Sequence, residues 1–257
     1  MLSIDEIAKE YPKELQPFKR FILKEYLQYK ILDFIFKNKI GDKLSFLGGT
    51  ALRIIHNNQR FSEDLDFDNF GLTAREFDLL IQKIKSDLEK EGYLVETRNV
   101  HKGAYRCYIK FPEVLFKEGL TPVKEEKILI QIDTAPHKFK YSPDVRLINK
   151  FGVFREIKST PIEIVLSQKI YSIFNRKRPK GRDFYDVVFL FSKTSPDYKY
   201  LKLKLGINTP EKLKKELAKK CKNLNFKDLS KDVKSFIFEP RGEEKVIKFI
   251  RLVEGIE

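Results

Sequence analysis

The segment RFSEDLDFD at residues 60–68 contains several acidic residues in close succession. If a short strand begins at Leu65, Asp64 and Asp66 project from the same face of it. Such a pair of carboxylates repels itself unless a cation lies between the two groups. Oxygen ligands without imidazole or thiolate favour Mg²⁺ or Mn²⁺, and these ions also bind triphosphates. Asp64 and Asp66 are therefore predicted to bind a divalent metal ion.

A glycine pair precedes this segment, in the string FLGGTAL at residues 46–52. Gly48 and Gly49 have no side chains, so the backbone can turn sharply there and approach a phosphate. Thr50 stands at a predicted helix start, where free N–H groups and the helix dipole favour anions. Gly-Gly turns and Asp-x-Asp triplets each occur in ordinary surface loops. In this order, as strand, turn, helix and strand, they indicate phosphoryl or nucleotidyl transfer.

The strings GGTAL and RFSEDLDFD together resemble the AbiEii-like nucleotidyltransferase toxins of abortive infection. That family is related to the MenT toxins and belongs to the polymerase-beta-like nucleotidyltransferase superfamily. The strings EIVLSQKI at residues 163–170 and GRDFYDV at 181–187 look like its later motifs, so the resemblance covers most of the chain. It implies an α+β fold: a polymerase-beta-like nucleotidyltransferase core of mixed sheet and flanking helices, followed by a mainly helical C-terminal domain.

The resemblance also implies an activity. A nucleoside monophosphate would pass from a nucleoside triphosphate (NTP) to an acceptor, and tRNA is the acceptor of some relatives. An acceptor hydroxyl would attack in line, with two Mg²⁺ or Mn²⁺ ions offsetting charge. A genetically linked antitoxin would be the protein partner, in a system of phage defence. Transfer to a small molecule or a protein, and a catalytically silent nucleotide-binding module, remain as alternatives.

The family motifs assign these roles to positions of this sequence. The residues implied to bind the nucleotide are Gly48, Gly49, Thr50, Arg60, Ser62 and Lys169. The residues implied to take part in catalysis are Asp64, Asp66, Lys169 and Asp183, with the metal ions on the first two. For Arg60 and Ser62 the alternative role is to orient Asp64 by hydrogen bonds.

The residues from the later motifs have structural alternatives too. Lys169 falls on the apolar side of its predicted helix, where it would touch phosphate or extend its stem along the edge of the core. Asp183 begins a predicted helix, so it could be an N-cap, an active-site residue or both. Asp186 is expected to be structural, paired with Arg182 or Arg176.

A third carboxylate is usual in polymerase-beta-like enzymes, where it deprotonates or positions the attacking hydroxyl. Asp133 is the candidate for this role and for a third metal ligand. It ends a predicted strand in which alternation sets it opposite three isoleucines. A strand-end residue that caps the next turn is the alternative, and Asp68, on the same face as Asp66, competes for the role.

The composition describes a basic protein. The 257 residues include 51 Lys and Arg against 37 Asp and Glu, a formal charge of +14. Such an excess favours RNA, DNA, nucleotides or an acidic partner protein. The two cysteines and three histidines lack the spacing of a zinc site. No signal peptide and no membrane span are predicted, and a cytoplasmic location is expected.

Two domains are predicted, with residues 1–158 forming the core and residues 159–257 forming a helical domain. The second would contribute Lys169 and Asp183 across an interdomain cleft. Within the second domain, residues 198–234 hold 12 Lys against 4 acidic residues. This stretch is either an RNA-binding surface or a solvated helix face.

The start of the second domain carries a helix signal. Thr160 is predicted to be the N-cap, Pro161 the first helical residue and Glu163 the partner in a capping box. The helix is expected to run to about Asn175.

Overall fold

The computed structural model describes residues 2–136 and 138–256, so His137 lies outside the described residues. The described chain divides into two compact units. The first unit contains residues 2–56 and 61–160, and the second contains residues 57–60 and 161–256. The short segment 57–60 thus belongs to the second unit, although the chain on either side of it belongs to the first.

The first unit combines five helices with seven strands among the described residues. The helices are α1 (Ile4–Lys9), α2 (Lys19–Lys37), α3 (Gly48–Ile54), α4 (Ala74–Lys90) and α5 (Val114–Lys117). The strands are β1 (Leu44–Leu47), β2 (Leu65–Asn69), β3 (Glu96–His101), β4 (Tyr105–Phe111), β5 (Ile128–Pro136), β6 (Asp144–Lys150) and β7 (Val153–Ser159). A 3-10 turn, Lys39–Lys43, leads into β1.

The strands form one mixed sheet in the order β3-β4-β5-β2-β1-β7-β6. Strands β2 and β5 pair in parallel, and so do β1 and β7. The other neighbouring strands pair antiparallel. A mixed sheet with flanking helices confirms the predicted α+β class.

The two faces of the sheet differ in burial. Helices α2 and α4 pack on one face. The buried residues of β4 and β5 on that core face are Cys107, Ile109, Phe111, Ile128, Ile130 and Ile132. The residues between them along these strands are half-buried or exposed. Because successive strand residues point to opposite faces, strands β4 and β5 have one covered apolar face and one open polar face.

Two parts of the first unit differ from the sequence-based expectation. Strand β5 continues to Pro136, so Asp133 lies inside the strand and does not end it. Residues 144–159 form the hairpin of β6 and β7, which the sequence pattern did not indicate. Pro136 and Pro143 favour a loop, and the described residues between them, 138–143, form no helix or strand.

The second unit is helical. Its helices are α6 (Ile162–Asn175), α7 (Gly181–Phe191), α8 (Tyr198–Leu205), α9 (Pro210–Cys221), α10 (Phe226–Lys234), α11 (Glu244–Ile247) and α12 (Phe249–Glu254). Thr209 caps α9, and its hydroxyl accepts the backbone N–H of Lys212. Of the helices that the structure describes, none has the length and apolar character to span a membrane.

The predicted capping box at the start of α6 is wrong. The N-cap residue is Pro161, and no side chain accepts a hydrogen bond from the first turn there. The Thr160 hydroxyl is engaged within the first unit instead, 3.1 Å from the Ser45 hydroxyl and 2.8 Å from that of Tyr141. A hydroxyl bound in this way no longer faces the helix start.

A buried ion pair joins segment 57–60 to α7 within the second unit. The Arg60 guanidinium donates to both carboxylate oxygens of Asp186, each at 2.7 Å. Arg60 is 2% exposed and Asp186 is fully buried. Asn58 donates to the same carboxylate at 3.0 Å, and the Lys169 ammonium lies 2.8 Å from it. Burial alone would raise the pKa of Asp186, but the charges of Arg60 and Lys169 hold it well below its usual range.

Replacing Asp186 tests how much the second unit depends on this pair. Asp186→Asn leaves the buried Arg60 cation without its counter-ion, so we expect the free energy of unfolding to fall by about 3–5 kcal/mol. Urea denaturation at pH 7 measures the change. The exposed ion pair of Asp228 and Lys231 provides the control, because Asp228→Asn should cost at most about 1 kcal/mol. Equal losses in the two variants would contradict the role given to Asp186.

The same pair gives stability a defined dependence on pH. The folded-state pKa of Asp186 is lowered, so its contribution is complete above the unfolded-state value of about 3.9. The contribution is lost as the pH falls below that value toward the folded-state pKa.

Candidate active site

The pairing of β2 with β5 brings two of the predicted carboxylates together. These strands run parallel, and Asp66 is the register partner of Asp133. Both side chains therefore project from the open face of the sheet, one strand spacing apart. Asp64 directly precedes β2 and, like Asp66, is half-buried.

The start of α3 lies against the Asp66 carboxylate. Strands β1 and β2 are antiparallel, and Leu47, the last residue of β1, is the register partner of Asp66. Gly48 follows with a φ of 82°, and a Cβ built on it would lie 2.2 Å from a carboxylate oxygen of Asp66. Glycine is required at this position both for its backbone conformation and for the close approach.

The Thr50 side chain ties the helix start to β2. It is fully buried, and its hydroxyl donates to the backbone carbonyl of Asp64. In this structure the hydroxyl therefore positions the segment that carries Asp64. Ser62, just upstream, is half-buried, and its carbonyl accepts a hydrogen bond of 3.0 Å from the Gln28 side chain.

Asp133 is held by two neighbours on the open face. Arg106, its register partner on β4, donates to one carboxylate oxygen, and Gln131 donates to the other. Hydrogen bonds to Asp133 and to Tyr108 raise the pKa of Arg106 above its usual value. A carboxylate offers about four acceptor positions, so two hydrogen bonds leave room for a further donor.

Asp68 has the same orientation as Asp66 but different contacts. The Tyr141 hydroxyl donates to it at 2.6 Å, and only 7% of the Asp68 surface is exposed. Burial, followed by the charge of Asp68, raises the pKa of Tyr141 above its usual value. Of the two candidates for the third carboxylate, Asp133 is therefore the more open to the polar face.

The donor set at this site suits a hard cation. Within the part of the chain that the structure describes, no group of three or more His, Cys, Asp or Glu side chains is placed to hold a metal ion, and this includes the predicted set Asp64, Asp66 and Asp133. Mg²⁺ is commonly bound by one or two carboxylates, water and substrate phosphates instead of an all-protein cage. Asp66 and Asp133, adjacent on the open face, offer carboxylate oxygens of this kind, and Asp64 directly precedes the same strand as Asp66.

The later-motif residues meet one another inside the second unit. The Lys169 ammonium lies 2.8 Å from Asp186 and 3.4 Å from Asp183, and its side chain is 13% exposed. Arg176 lies 2.7 Å from Asp183. Asp183 is the third residue of α7, whereas the residue before that helix is Lys180, so Asp183 is not its N-cap. Its 1% exposure and two cationic neighbours fit a buried electrostatic role.

Two expected pairings of the second unit need correction. Asp186 was expected to pair with Arg182 or Arg176, and the structure pairs it with Arg60 and Lys169. Arg60 was expected beside the nucleotide or near Asp64, and its guanidinium is buried against Asp186. Partners so far apart in the sequence follow no periodicity, so no local pattern indicates them. The predicted nucleotide-binding role of Arg60 and the interdomain cleft remain predictions.

Sequence reasoning did not single out Arg106 and Gln131 beside Asp133. The pattern of residues 104–111 predicts a strand, in which Arg106 and Tyr108 share one face and Cys107 lies on the other. Alternation of exposed and buried residues was therefore the available signal, but the strand partners were needed to set Arg106 opposite Asp133.

Comparison with known proteins agrees with this architecture. The family described as the nucleotidyl transferase AbiEii toxin of a type IV toxin–antitoxin system matches residues 31–251. The crystal structure of JHP933 from Helicobacter pylori is similar, with a TM-score of 0.58 and 18% identity over 92% of this chain and 91% of that one.

A second crystal structure, of a candidate nucleotidyltransferase from H. pylori, has a TM-score of 0.61 and 17% identity. The match covers 92% of this chain and 94% of that one. No curated protein matches the sequence. At these identities the two structures support the fold, whereas the family match supports membership because it spans most of the chain. The chain belongs to the AbiEii family of nucleotidyltransferase toxins from type IV toxin–antitoxin systems.

Proposed function

We propose that this protein transfers a nucleoside monophosphate from an NTP to an RNA acceptor, in a reaction that depends on Mg²⁺ or Mn²⁺. The observation that supports this most directly is Gly48, at the start of α3, packed against Asp66, with Asp133 beside Asp66 on the open face. Carboxylates next to a glycine at a helix start can bind a metal–triphosphate complex. We further propose that the protein acts in the cytoplasm as a toxin in phage defence, held by a cognate antitoxin.

The reaction exchanges one phosphorus–oxygen bond for another. A hydroxyl oxygen of the acceptor attacks the α-phosphorus of the NTP, and the bond from that phosphorus to the bridging oxygen breaks. Pyrophosphate leaves with the bond electrons, and the hydroxyl proton passes to a base. Asp133 is the proposed base, since it is half-buried on the open face and its two hydrogen bonds leave acceptor positions unused.

Other residues of this chain would bind and orient the substrates. Asp64 and Asp66 would hold the metal ions, which when bound supply charge neutralisation for the triphosphate. Gly48 and Gly49 would let the backbone approach the phosphates. Lys169 is proposed to contact phosphate, and Asp183 and Asp186 would position its ammonium group.

The basic surface of the second unit supports a nucleic-acid acceptor. Helices α8, α9 and α10 carry most of the lysines of residues 198–234, and many of these side chains are exposed. Phosphate contacts of this type give affinity without much sequence choice. tRNA is the acceptor class that we propose on this basis and on the family relationship. Small molecules, protein side chains and silent nucleotide binding are outcomes that the experiments below distinguish.

Removing one charge from the carboxylate pair tests the reaction. Asp66→Asn preserves size but weakens metal binding, so we expect transfer to tRNA to fall by at least about 100-fold. The assay incubates the protein with Mg²⁺, each α-labelled NTP in turn and total tRNA. Asp144→Asn, on strand β6, is the matched control and should remain active. An active Asp66→Asn enzyme would refute the site, and Mg²⁺-dependent NTP binding without transfer to any acceptor would favour a silent module.

Adding a methyl group tests the glycine turn. Gly48→Ala places a Cβ where the Asp66 carboxylate lies, so we expect at least a tenfold loss of transfer. Gly71→Ala is the matched control: Gly71 has a φ of 88°, but its added Cβ would meet nothing within 4 Å. In both variants backbone strain should lower the free energy of unfolding by about 1–2 kcal/mol. Only Gly48→Ala should lose activity. Equal activities in the labelled-NTP assay would contradict the proposed phosphate site.

Neutralising lysines of α9 tests the acceptor. Lys214, Lys215 and Lys219 are the chosen positions, since Lys220 already donates to the Phe174 carbonyl. The triple Lys→Gln variant should raise KM for tRNA. It should also reduce the slope of the logarithm of the tRNA binding constant against the logarithm of salt concentration by about 2. KM for the NTP should not change. A control triple variant at Lys9, Lys13 and Lys83 removes the same net charge. Identical effects of the two triple variants would show that total charge, and not this surface, matters.

A further inference from the structure

The open side of strands β3, β4 and β5 continues beyond the carboxylates as a polar surface. Nine residues share it, and we call it the β3–β5 face. They are Glu96, Arg98, Val100, Arg106, Tyr108, Lys110, Leu129, Gln131 and Asp133. Each is exposed or half-buried, whereas the residues that alternate with them on β4 and β5 are buried. The helices α2 and α4 pack on the other side of the sheet, so they do not cover this face.

Strand register connects this face directly to the candidate active site. One row of register partners runs from Asp66 through Asp133 and Arg106 to Val100. The next row runs from Gln131 through Tyr108 to Arg98. Neighbouring strands lie about 4.8 Å apart, so Tyr108 is one strand and one row away from the Asp133 carboxylate. A chain bound on this face would end beside the carboxylates.

The side chains on the face suit a single-stranded nucleic acid. The Arg98 guanidinium lies 5.9 Å from the centre of the Tyr108 ring, so an aromatic surface and a cation are presented together. Arg106 and Lys110 add two exposed cations beside the same ring. Glu96 is paired with Lys127 at 2.7 Å, which reduces its repulsion of phosphates. Aromatic rings that stack bases, next to cations that bind the backbone, are the recurring means of holding single strands on a sheet.

We propose that the single-stranded end of the acceptor RNA binds on the β3–β5 face, with a base stacked on Tyr108. The acceptor hydroxyl would then lie near Asp133. This inference rests on the proposed function, and it assigns the terminal nucleotides of the acceptor to the first unit. The charged and aromatic character favours RNA over a protein partner, whose interface core would be depleted of Lys and Glu.

The test measures RNA binding without any reaction. Fluorescence anisotropy with a labelled single-stranded eight-nucleotide RNA, in the absence of NTP, gives the Kd for the full chain. Tyr108→Ala should raise that Kd about tenfold, as expected for the loss of one stacked base. Tyr108→Phe keeps the ring and should stay within about twofold of the unchanged protein. Arg98→Ala should lower the slope of the logarithm of the binding constant against the logarithm of salt concentration by about 0.7, which corresponds to one lost phosphate contact.

The outcomes separate this inference from the proposed function. Loss of RNA binding in Tyr108→Ala but not in Tyr108→Phe supports the inference, even if no transfer is ever detected. Unchanged RNA binding in a folded Tyr108→Ala protein overturns it, whether or not the protein transfers nucleotides. A rise in KM for the NTP alone also overturns it, because the face would then belong to the donor nucleotide. Thermal unfolding of each variant establishes that the protein is folded.

Discussion

The contact between Gly48 and the Asp66 carboxylate is the constraint on which the candidate active site depends. Because β1 and β2 pair with Leu47 opposite Asp66, the chain that leaves β1 must pass this side chain. A Cβ at position 48 would come within 2.2 Å of a carboxylate oxygen, so only glycine allows the passage without displacing the Asp66 side chain. The parallel pairing of β2 and β5 then sets Asp133 beside Asp66. The helix start and the carboxylates are thus arranged by backbone pairing and by one missing side chain.

Ion pairs arrange the later-motif residues of the second unit, whereas a steric contact arranges the candidate site of the first unit. Among the described residues of this unit, Lys169, Arg60 and Arg176 lie beside the carboxylates of Asp183 and Asp186. The Lys169 side chain is 13% exposed and that of Arg176 is 41% exposed, so an anion can reach these two cations from solvent. This exposure agrees with the phosphate-binding role proposed for Lys169.

Local patterns predicted the elements better than they predicted the contacts. Apolar residues at helical spacing around residues 17–37 and 77–88 predict helices, and α2 and α4 lie there. Thr73 and Glu76 have the spacing of a capping box, and they form one. The glycine turn and the Asp-x-Asp triplet were visible as motifs, because their spacing follows from one strand and one turn. Hairpin β6–β7 was missed because its polar and proline-flanked sequence lacks clean alternation. The partners of Arg60 and Asp133 depend on pairings across many residues, which a single sequence does not reveal.

The open face also explains how several carboxylates can lie close together. Asp66, Asp68 and Asp133 project from the same side of adjoining strands, and like charges at such separations raise each other's free energy. Tyr141 donates to Asp68, and Arg106 with Gln131 donates to Asp133. The neutral donors stabilise the carboxylates, and the positive charge of Arg106 offsets part of the repulsion. Arg106 therefore stabilises Asp133 on one side and contributes a cation to the β3–β5 face on the other, which links the carboxylates to the surface proposed for the acceptor.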